Sequence, residues 1–81
     1  MGHSRPRPKY LAAKLLQIRQ RLGLSQSQIA KQIGVTNCTD ISKYERDINE
    51  APLAVLLAYS RAANVPLKQI VDDQLDLTLH I

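Results

Sequence analysis

The chain has 81 residues, which allows one small domain without room for a deep active-site cleft. Eleven lysines and arginines against seven aspartates and glutamates give a net charge of +4, which favours a polyanionic partner. No apolar run reaches 18 residues and there is a single cysteine, so we expect no membrane span, no secretory signal and no cysteine-rich metal site. Trp and Phe are absent, so we expect an aliphatic core. Taken together, these features predict a cytoplasmic domain.

The charges are distributed unevenly along the chain. Residues 1–46 carry nine basic and two acidic side chains, a net +7, whereas residues 47–81 carry two basic and five acidic side chains, a net −3. This asymmetry predicts one half that binds a polyanion and another half that faces a different partner. Chance clustering on a solvated surface is the alternative.

Residues 1–9 are predicted to form a flexible basic arm. Pro6 and Pro8 are two positions apart and disfavour a helix, while Arg5 and Arg7 supply positive charge. Such an arm either keeps the domain soluble or contacts phosphates and the minor groove of a nucleic acid.

Residues 10–73 carry the periodicity of a helical domain. In the first predicted helix, apolar residues recur at helical spacing from Leu11 to Leu22, and Gly23 ends the pattern. Ser25 is a suitable N-cap for a second helix, which ends at Gly34.

Three further helices are predicted after Gly34. Asn37 is the expected N-cap of the third helix, with Asp40 returning a hydrogen bond as in a capping box, and this helix should run to about Arg46. Pro52 should occupy the first helical position of the fourth helix, and Pro66 should open the fifth.

Residues 74–81 have a different pattern. Leu75, Leu77, Leu79 and Ile81 alternate with polar residues, which is the period of a β-strand. A lone strand is not stable in water, so this tail is predicted to pair with a second copy as a dimerisation strand. The alternatives are that it frays or that it packs on its own domain.

The second and third helices have the layout of a helix-turn-helix. Ala30 lies four residues before Gly34, so a small side chain allows close approach and glycine allows the sharp turn. In this motif the second of the two helices enters the DNA major groove.

The chain resembles the phage-repressor/Cro-type (XRE) helix-turn-helix regulators. The resemblance rests on three segments that occur in order: Q-I-R-Q-R-L-G-L-S-Q-S-Q-I-A-K-Q-I-G-V-T, I-S-K-Y-E-R and A-P-L-A-V-L-L-A-Y-S-R-A-A-N-V-P-L-K-Q-I-V-D-D. It implies an all-α, compact five-helix repressor-like fold, here with a basic N-terminal arm and a strand-like C-terminal tail.

The resemblance also implies roles for matching residues. Gln26 would bond a DNA phosphate, and Arg19 and Glu45 would form a structural pair between the first and third helices. The remaining positions implied to contact DNA are Asn37, Cys38, Thr39 and Lys43 at the groove and Arg46 and Asn49 at the backbone.

The sequence departs from the family between Thr36 and Ile41. Four residues separate these positions where the family has three, so either the turn or the start of the third helix must accommodate one more. Asp40 is unusual near DNA, since its carboxylate repels phosphate; it serves either as a cap or as an acceptor from a cytosine amino group.

The resemblance implies a sequence-specific DNA-binding transcription regulator, with repression favoured. Its partners would be double-stranded DNA with a two-fold operator and a second copy of the chain. The alternative is an antitoxin-like or adaptor module that uses the same fold to bind a protein partner. No catalytic constellation is recognisable, and we expect no cofactor, no metal ligands and no membrane contact; a bacterial or phage-like, nucleoid-associated location follows from the same resemblance.

Overall fold

Five α-helices, and no strand, make up the part of the chain that the computed structural model describes, residues 8–78. The bounds are α1 Leu11–Leu22, α2 Gln26–Ile33, α3 Cys38–Glu45, α4 Leu53–Ala63 and α5 Leu67–Val71. The prediction of a five-helix, all-α domain is therefore confirmed. The predicted positions of Pro52 and Pro66 are wrong by one residue. Each proline is the N-cap rather than the first helical residue, because its ψ angle is extended and the helix begins at the following leucine.

Local signals account for where the helices begin and end. Gly23, Gly34 and Asn64 follow α1, α2 and α4 in the left-handed conformation, with φ of 72°, 79° and 55°. Ser25 and Gln28 form a complete capping box at α2, in which each side chain bonds the other residue's backbone N–H. The helix ends at Gly23 and Gly34 and the N-cap Ser25 were predicted, because each signal lies within one turn of a helix end; the part of Gln28 in the capping box was not.

The core is aliphatic except for one tyrosine. Leu15, Ile18, Ile29, Ile41 and Ile70 are fully buried together with Tyr59. Complete burial of such a side chain stabilises the fold by roughly 1.5–3 kcal/mol, so this set dominates the stability of so small a domain. α3 packs against both α1 and α2 and so holds the first half together, and α4 packs against α1, α2 and α5.

The Tyr59 hydroxyl is the exception in this core. It makes no hydrogen bond to any group that the structure describes, although the side chain is fully buried. Burial, and secondarily the charge of Glu45, raises the pKa of Tyr59 well above its usual value of 10. The phenol therefore stays neutral in the folded protein.

No strand forms within the described part of the tail, residues 72–78, which packs on its own domain, one of the alternatives to the predicted dimerisation strand. Residues 72–78 contain a turn and irregular backbone. The Lys14 ammonium, only 7% exposed, donates to the carbonyl oxygens of Gln69, Asp72 and Leu75 at 2.7–2.8 Å. The Thr78 N–H donates to the Gln69 side chain. These bonds satisfy backbone groups that a strand would have offered to a neighbour, so the segment packs on its own domain.

The two predicted dimerisation leucines in this segment are partly buried. Leu77 packs against the core, and Leu75 lies beside α1 in a groove that also contains Ala13 and Gln17. Leu79 and Ile81, the other two predicted dimerisation residues, lie outside the described residues. Dimerisation through this tail stays a prediction.

The start of α1 is fixed to the end of α5. The Asp73 carboxylate accepts hydrogen bonds from the backbone N–H groups of Lys9 and Tyr10, at 2.7 and 3.0 Å. These two bonds lower the pKa of Asp73. The predicted arm therefore has a defined end at Pro8–Lys9; Arg5 and Arg7 lie outside the described residues.

Candidate nucleic-acid interface

α2, the turn after it and α3 form a rigid unit. The N–H groups of Gly34 and Val35 donate back to the carbonyls of Lys31 and Ala30, which closes α2. Ala30 is 3% exposed, and its small side chain lies between α2 and the rest of the core. Gly34 is required for its left-handed φ rather than for space, since no atom lies within 4 Å of where a Cβ would be.

The extra residue between Thr36 and Ile41 lies in the turn. Asn37 has extended backbone angles, and its side chain accepts a hydrogen bond from the Thr39 N–H at 2.9 Å, so it is the N-cap of α3. The turn therefore runs from Gly34 to Asn37, and α3 keeps its two full turns. The capping box predicted with Asp40 does not form among the described residues; the Asp40 backbone N–H donates to the Asn37 carbonyl, and its side chain does not cap the helix.

The outward face of α3 is polar and carries a basic side chain. Ile41 is completely buried, and Thr39 and Lys43 lie on the opposite side of the helix, one turn apart. Thr39 is exposed and Lys43 is partly buried. A hydroxyl, a methyl group and an ammonium on one helix face match the donors, acceptors and thymine methyl groups at the edges of base pairs.

Cys38, a predicted DNA-contacting residue, and Asp40, predicted as either a cap or an acceptor from cytosine, have mixed environments. Cys38 is partly buried and packs against the core, so only part of its surface lies on the outward side of α3. Asp40 is partly buried on the flank of α3; its charge adds to burial in raising the pKa of Tyr44. Asp40 and Tyr44 are one helical turn apart, on a side of α3 about 100° from the face that carries Thr39 and Lys43.

A buried ion pair ties α1 to the end of α3. Arg19 donates from Nε and Nη2 to the two carboxylate oxygens of Glu45, at 2.6 and 3.0 Å, and from Nη1 to the Leu24 carbonyl at 3.0 Å. The Glu45 side chain is 4% exposed and that of Arg19 is 17% exposed. The pKa of Arg19 is raised by this hydrogen bond. Bidentate geometry makes this one of the stronger ion-pair types.

Gln26 joins the same network. Its side-chain Nε2 donates to Glu45 Oε1 at 3.1 Å, which connects the start of α2 to the end of α3. Because Nε2 carries two hydrogens, one remains for an external acceptor. Sequence reasoning did not find this link, since nothing in the sequence indicates contact between residues 19 positions apart.

The predicted backbone-contacting residues follow α3. Arg46 is the exposed C-cap residue, and Asn49 is exposed in the loop after it. Asp47 has a positive φ of 58°, which turns the chain so that the Ile48 N–H bonds back to the Lys43 carbonyl. This turn keeps Arg46 and Asn49 beside the C-terminal end of α3.

Within residues 8–78, no group of three or more histidine, cysteine, aspartate and glutamate side chains is arranged to hold a metal ion. No helix in the same stretch is long and apolar enough to cross a bilayer.

Comparison with known proteins agrees with this geometry. A family model described as helix-turn-helix matches residues 15–70. The fold is similar to that of SinR, the master regulator for biofilm formation, in a crystal structure of its complex with DNA. The TM-score is 0.68 at 25% sequence identity, and the match covers 76% of this chain and 98% of that chain. No curated protein sequence matches the chain at a significant level.

Proposed function

The chain belongs to the helix-turn-helix family, of the XRE type, and from this premise we propose that it is a sequence-specific transcription regulator that represses from a two-fold operator. The family is one of DNA-binding regulators, and the structural neighbour is a regulator in complex with DNA. On this basis the chain is not an enzyme. The observation that carries the proposal is the outward face of α3, where Thr39 and Lys43 lie opposite the fully buried Ile41.

Non-specific attraction to DNA is the first step of the proposed mechanism. The +7 charge of residues 1–46 draws that half of the chain to the phosphates and releases counterions on contact, so affinity falls steeply as salt rises. Arg46 and Asn49 are placed to contact phosphates at one end of α3, and Arg5 and Arg7 of the arm would add contacts from the other end of the chain.

Gln26 would fix the orientation of the domain on the DNA. It is the first residue of α2, where backbone N–H groups and the helix dipole favour a phosphate. Glu45 holds one Nε2 hydrogen of Gln26, and the second hydrogen is available to a phosphate oxygen. Such a contact fixes how deeply α3 enters the groove without reading the sequence itself.

Sequence is then read by α3. Lys43 can donate to the O6 and N7 acceptors of guanine, and the Thr39 methyl group can contact a thymine methyl group. Asn37 and the exposed part of Cys38 extend this face toward the N-terminus of α3. Asp40 lies about 100° around α3 from Thr39, so its negative charge would be at the edge of the reading face rather than at its centre.

Two copies are required by the operator symmetry that we propose. Two recognition helices one DNA turn apart, about 34 Å, read two half-sites of a palindrome. Occupancy of such a site would exclude RNA polymerase from an overlapping promoter. The alternative role as a protein-binding module has less support, because residues 72–78 pack on their own domain and offer no strand edge there to a partner.

Selection of bound duplexes from a random pool tests this function. At moderate salt, the wild-type chain should enrich a palindrome whose half-sites are centred about 10 base pairs apart. A Lys43→Ala, Thr39→Ala double variant should lose the enrichment while still binding DNA at low salt. Failure of the wild type to enrich any sequence would refute the proposal.

A further inference from the structure

A shallow depression lies between α2, the turn after it and the start of α3. Its volume is about 170 Å³, against roughly 30 Å³ for one water molecule, so a group of several heavy atoms fits in it. Its lining combines apolar side chains with two hydroxyls, a thiol and an ammonium: Ser27, Ala30, Lys31, Val35, Thr36 and Cys38. None of these residues is acidic and one is basic, so the depression suits an anion.

Three groups at this depression can donate hydrogen bonds to a ligand. Ser27 and Lys31 are four residues apart, so they lie on the same side of α2, one turn from each other. Ser27, Lys31 and Thr36 are all exposed, and no hydrogen bond or ion pair within residues 8–78 holds their side chains. Two hydroxyls and an ammonium are the groups with which proteins commonly contact phosphate oxygens.

The lengthened turn supplies one of these donors. Asn37 is the N-cap of α3, so Thr36 just before it belongs to neither helix. The Val35 N–H donates to the Ala30 carbonyl at 2.8 Å, which fixes the chain on the other side of Thr36. Thr36 is thus held between two anchored residues. Because the extra residue of this chain lies in this turn, the depression is a feature of this sequence and is not among the positions that the family resemblance implied.

The depression adjoins the side of α3 that is proposed to read bases. Cys38 borders the depression, and Cys38 and Asp40 flank Thr39 on α3, about 100° around the helix to either side. An anion in the depression would therefore lie next to the reading face, on the flank away from the Asp40 carboxylate. A DNA phosphate beside the groove is an anion in such a position.

We propose that Ser27, Lys31 and Thr36 bind one phosphate of the DNA backbone, separate from the phosphate that Gln26 would contact. The inference rests on the proposed function, because DNA bound to α3 is what brings a phosphate to this flank. Gln26 is the first residue of α2 and Lys31 lies in its last turn, so the two contacts would hold α2 near both ends. The second contact would fix the angle of α3 in the groove, where Gln26 alone fixes its depth.

The first test compares two exposed lysines. Lys31→Ala removes the ammonium at the depression, whereas Lys68→Ala removes one from α5 and controls for net charge. Affinity for a duplex with one selected half-site is measured as a function of salt. Lys31→Ala should lower the affinity about tenfold at low salt and reduce the slope of log affinity against log salt by about 0.9, the value for one phosphate contact. Lys68→Ala should change neither quantity.

The second test identifies the phosphate. Duplexes are prepared in which one phosphate at a time is replaced by an uncharged methylphosphonate. At one position the replacement should weaken wild type about tenfold and Lys31→Ala by less than about twofold, because this variant has already lost the contact. A different position should couple to Gln26→Ala in the same way. Coupling of Lys31 to no phosphate, or of both residues to the same phosphate, would refute the proposal.

The third test leaves the charge of the protein unchanged. Thr36→Val keeps a β-branched side chain but removes the hydroxyl, so it should weaken half-site binding by about fivefold, whereas Thr36→Ser keeps the hydroxyl and should bind as wild type does. Urea unfolding checks that neither variant loses stability. Equal losses in both variants would contradict a contact through the hydroxyl.

The outcomes separate this inference from the proposed function. If the wild type enriches no sequence, sequence-specific regulation fails. The salt slopes of Lys31→Ala and Lys68→Ala can still be compared on any duplex, because a phosphate contact carries no sequence information. If half-sites are bound specifically but the two lysine variants have equal salt slopes, the phosphate site is refuted and the regulator proposal stands.

Discussion

α3 and α4 have similar inward faces and contrasting outward faces. Each buries apolar residues in the same core, Ile41 from α3 and Leu56 with Tyr59 from α4. Outward, α3 carries a threonine and a lysine, whereas α4 carries mostly leucines and alanines with one exposed arginine, Arg61. The inward faces explain why both helices form and stay in place; the outward face of α3 is the one that we propose for DNA.

The largest expected effect comes from removing the support of the α3 face. Glu45→Ala leaves the Arg19 guanidinium partly buried without its carboxylate, and it also releases Gln26. We expect a loss of about 3 kcal/mol in the free energy of unfolding, measured with urea.

A double-mutant cycle provides the control for that prediction. Arg19→Ala combined with Glu45→Ala should lower the free energy of unfolding by clearly less than the sum of the two single changes, because each single variant already loses the same ion pair. Additive costs would show that the pair contributes little to holding α3.

Lys14 lies on neither the outward face of α3 nor that of α4. Its substitution should therefore lower folding stability without changing affinity for DNA. Lys14→Met removes three hydrogen bonds from the ammonium to main-chain carbonyls, and we expect about 2 kcal/mol of lost stability with faster hydrogen exchange in residues 72–78. Below the melting temperature, half-site affinity should remain unchanged. Lys68→Met, at an exposed position of α5, is the matched control and should alter neither quantity.

Substitutions of Thr39 and Gln26 test whether the proposed DNA-facing side has separate reading and positioning residues. Thr39→Ala should relax specificity at one or two base pairs, with about a tenfold loss on the preferred sequence. Gln26→Ala should weaken binding to all sequences by a similar factor, because a phosphate contact carries no sequence information. Competition assays with the selected palindrome and its single-base variants distinguish these effects; equal behaviour of the two variants would show that α3 is placed wrongly against the groove.

The smallest expected effect is that of a substitution on the buried side of α4. Tyr59→Phe removes a hydroxyl without a hydrogen-bond partner among the described residues, so stability should be unchanged or should rise by up to about 1 kcal/mol. In the wild type the folded state keeps the phenol proton above pH 10, where the unfolded chain releases it, so stability should fall as pH rises beyond that value. The Phe variant should lack this part of the alkaline loss, and a clear destabilisation at neutral pH would contradict the structure.

The helices and their ends were predictable because their signals are local. Gly23, Gly34, Ser25 and Asn37 each act on a backbone group within a few positions. The α3 face followed as well, since the position of buried Ile41 fixes which residues lie opposite it.

The tail and the polar network were not predictable in the same way. The alternating leucines of residues 75–81 indicate a strand, but the outcome for residues 72–78 depends on Lys14, about 60 positions earlier in the chain, whose ammonium binds their carbonyls. The link between Gln26 and Glu45 also depends on the packing of α2 against α3. Such contacts depend on the tertiary structure, and the sequence around either residue does not indicate its partner.

The central claim is that the outward face of α3, and not that of α4, binds DNA. Titration of the labelled chain with a duplex containing one selected half-site, followed by NMR, tests it directly. The account predicts that the largest amide shifts occur at Gln26 and from Asn37 to Lys43, while residues 53–61 remain unperturbed. Shifts concentrated along residues 53–61, with α3 unaffected, would contradict it.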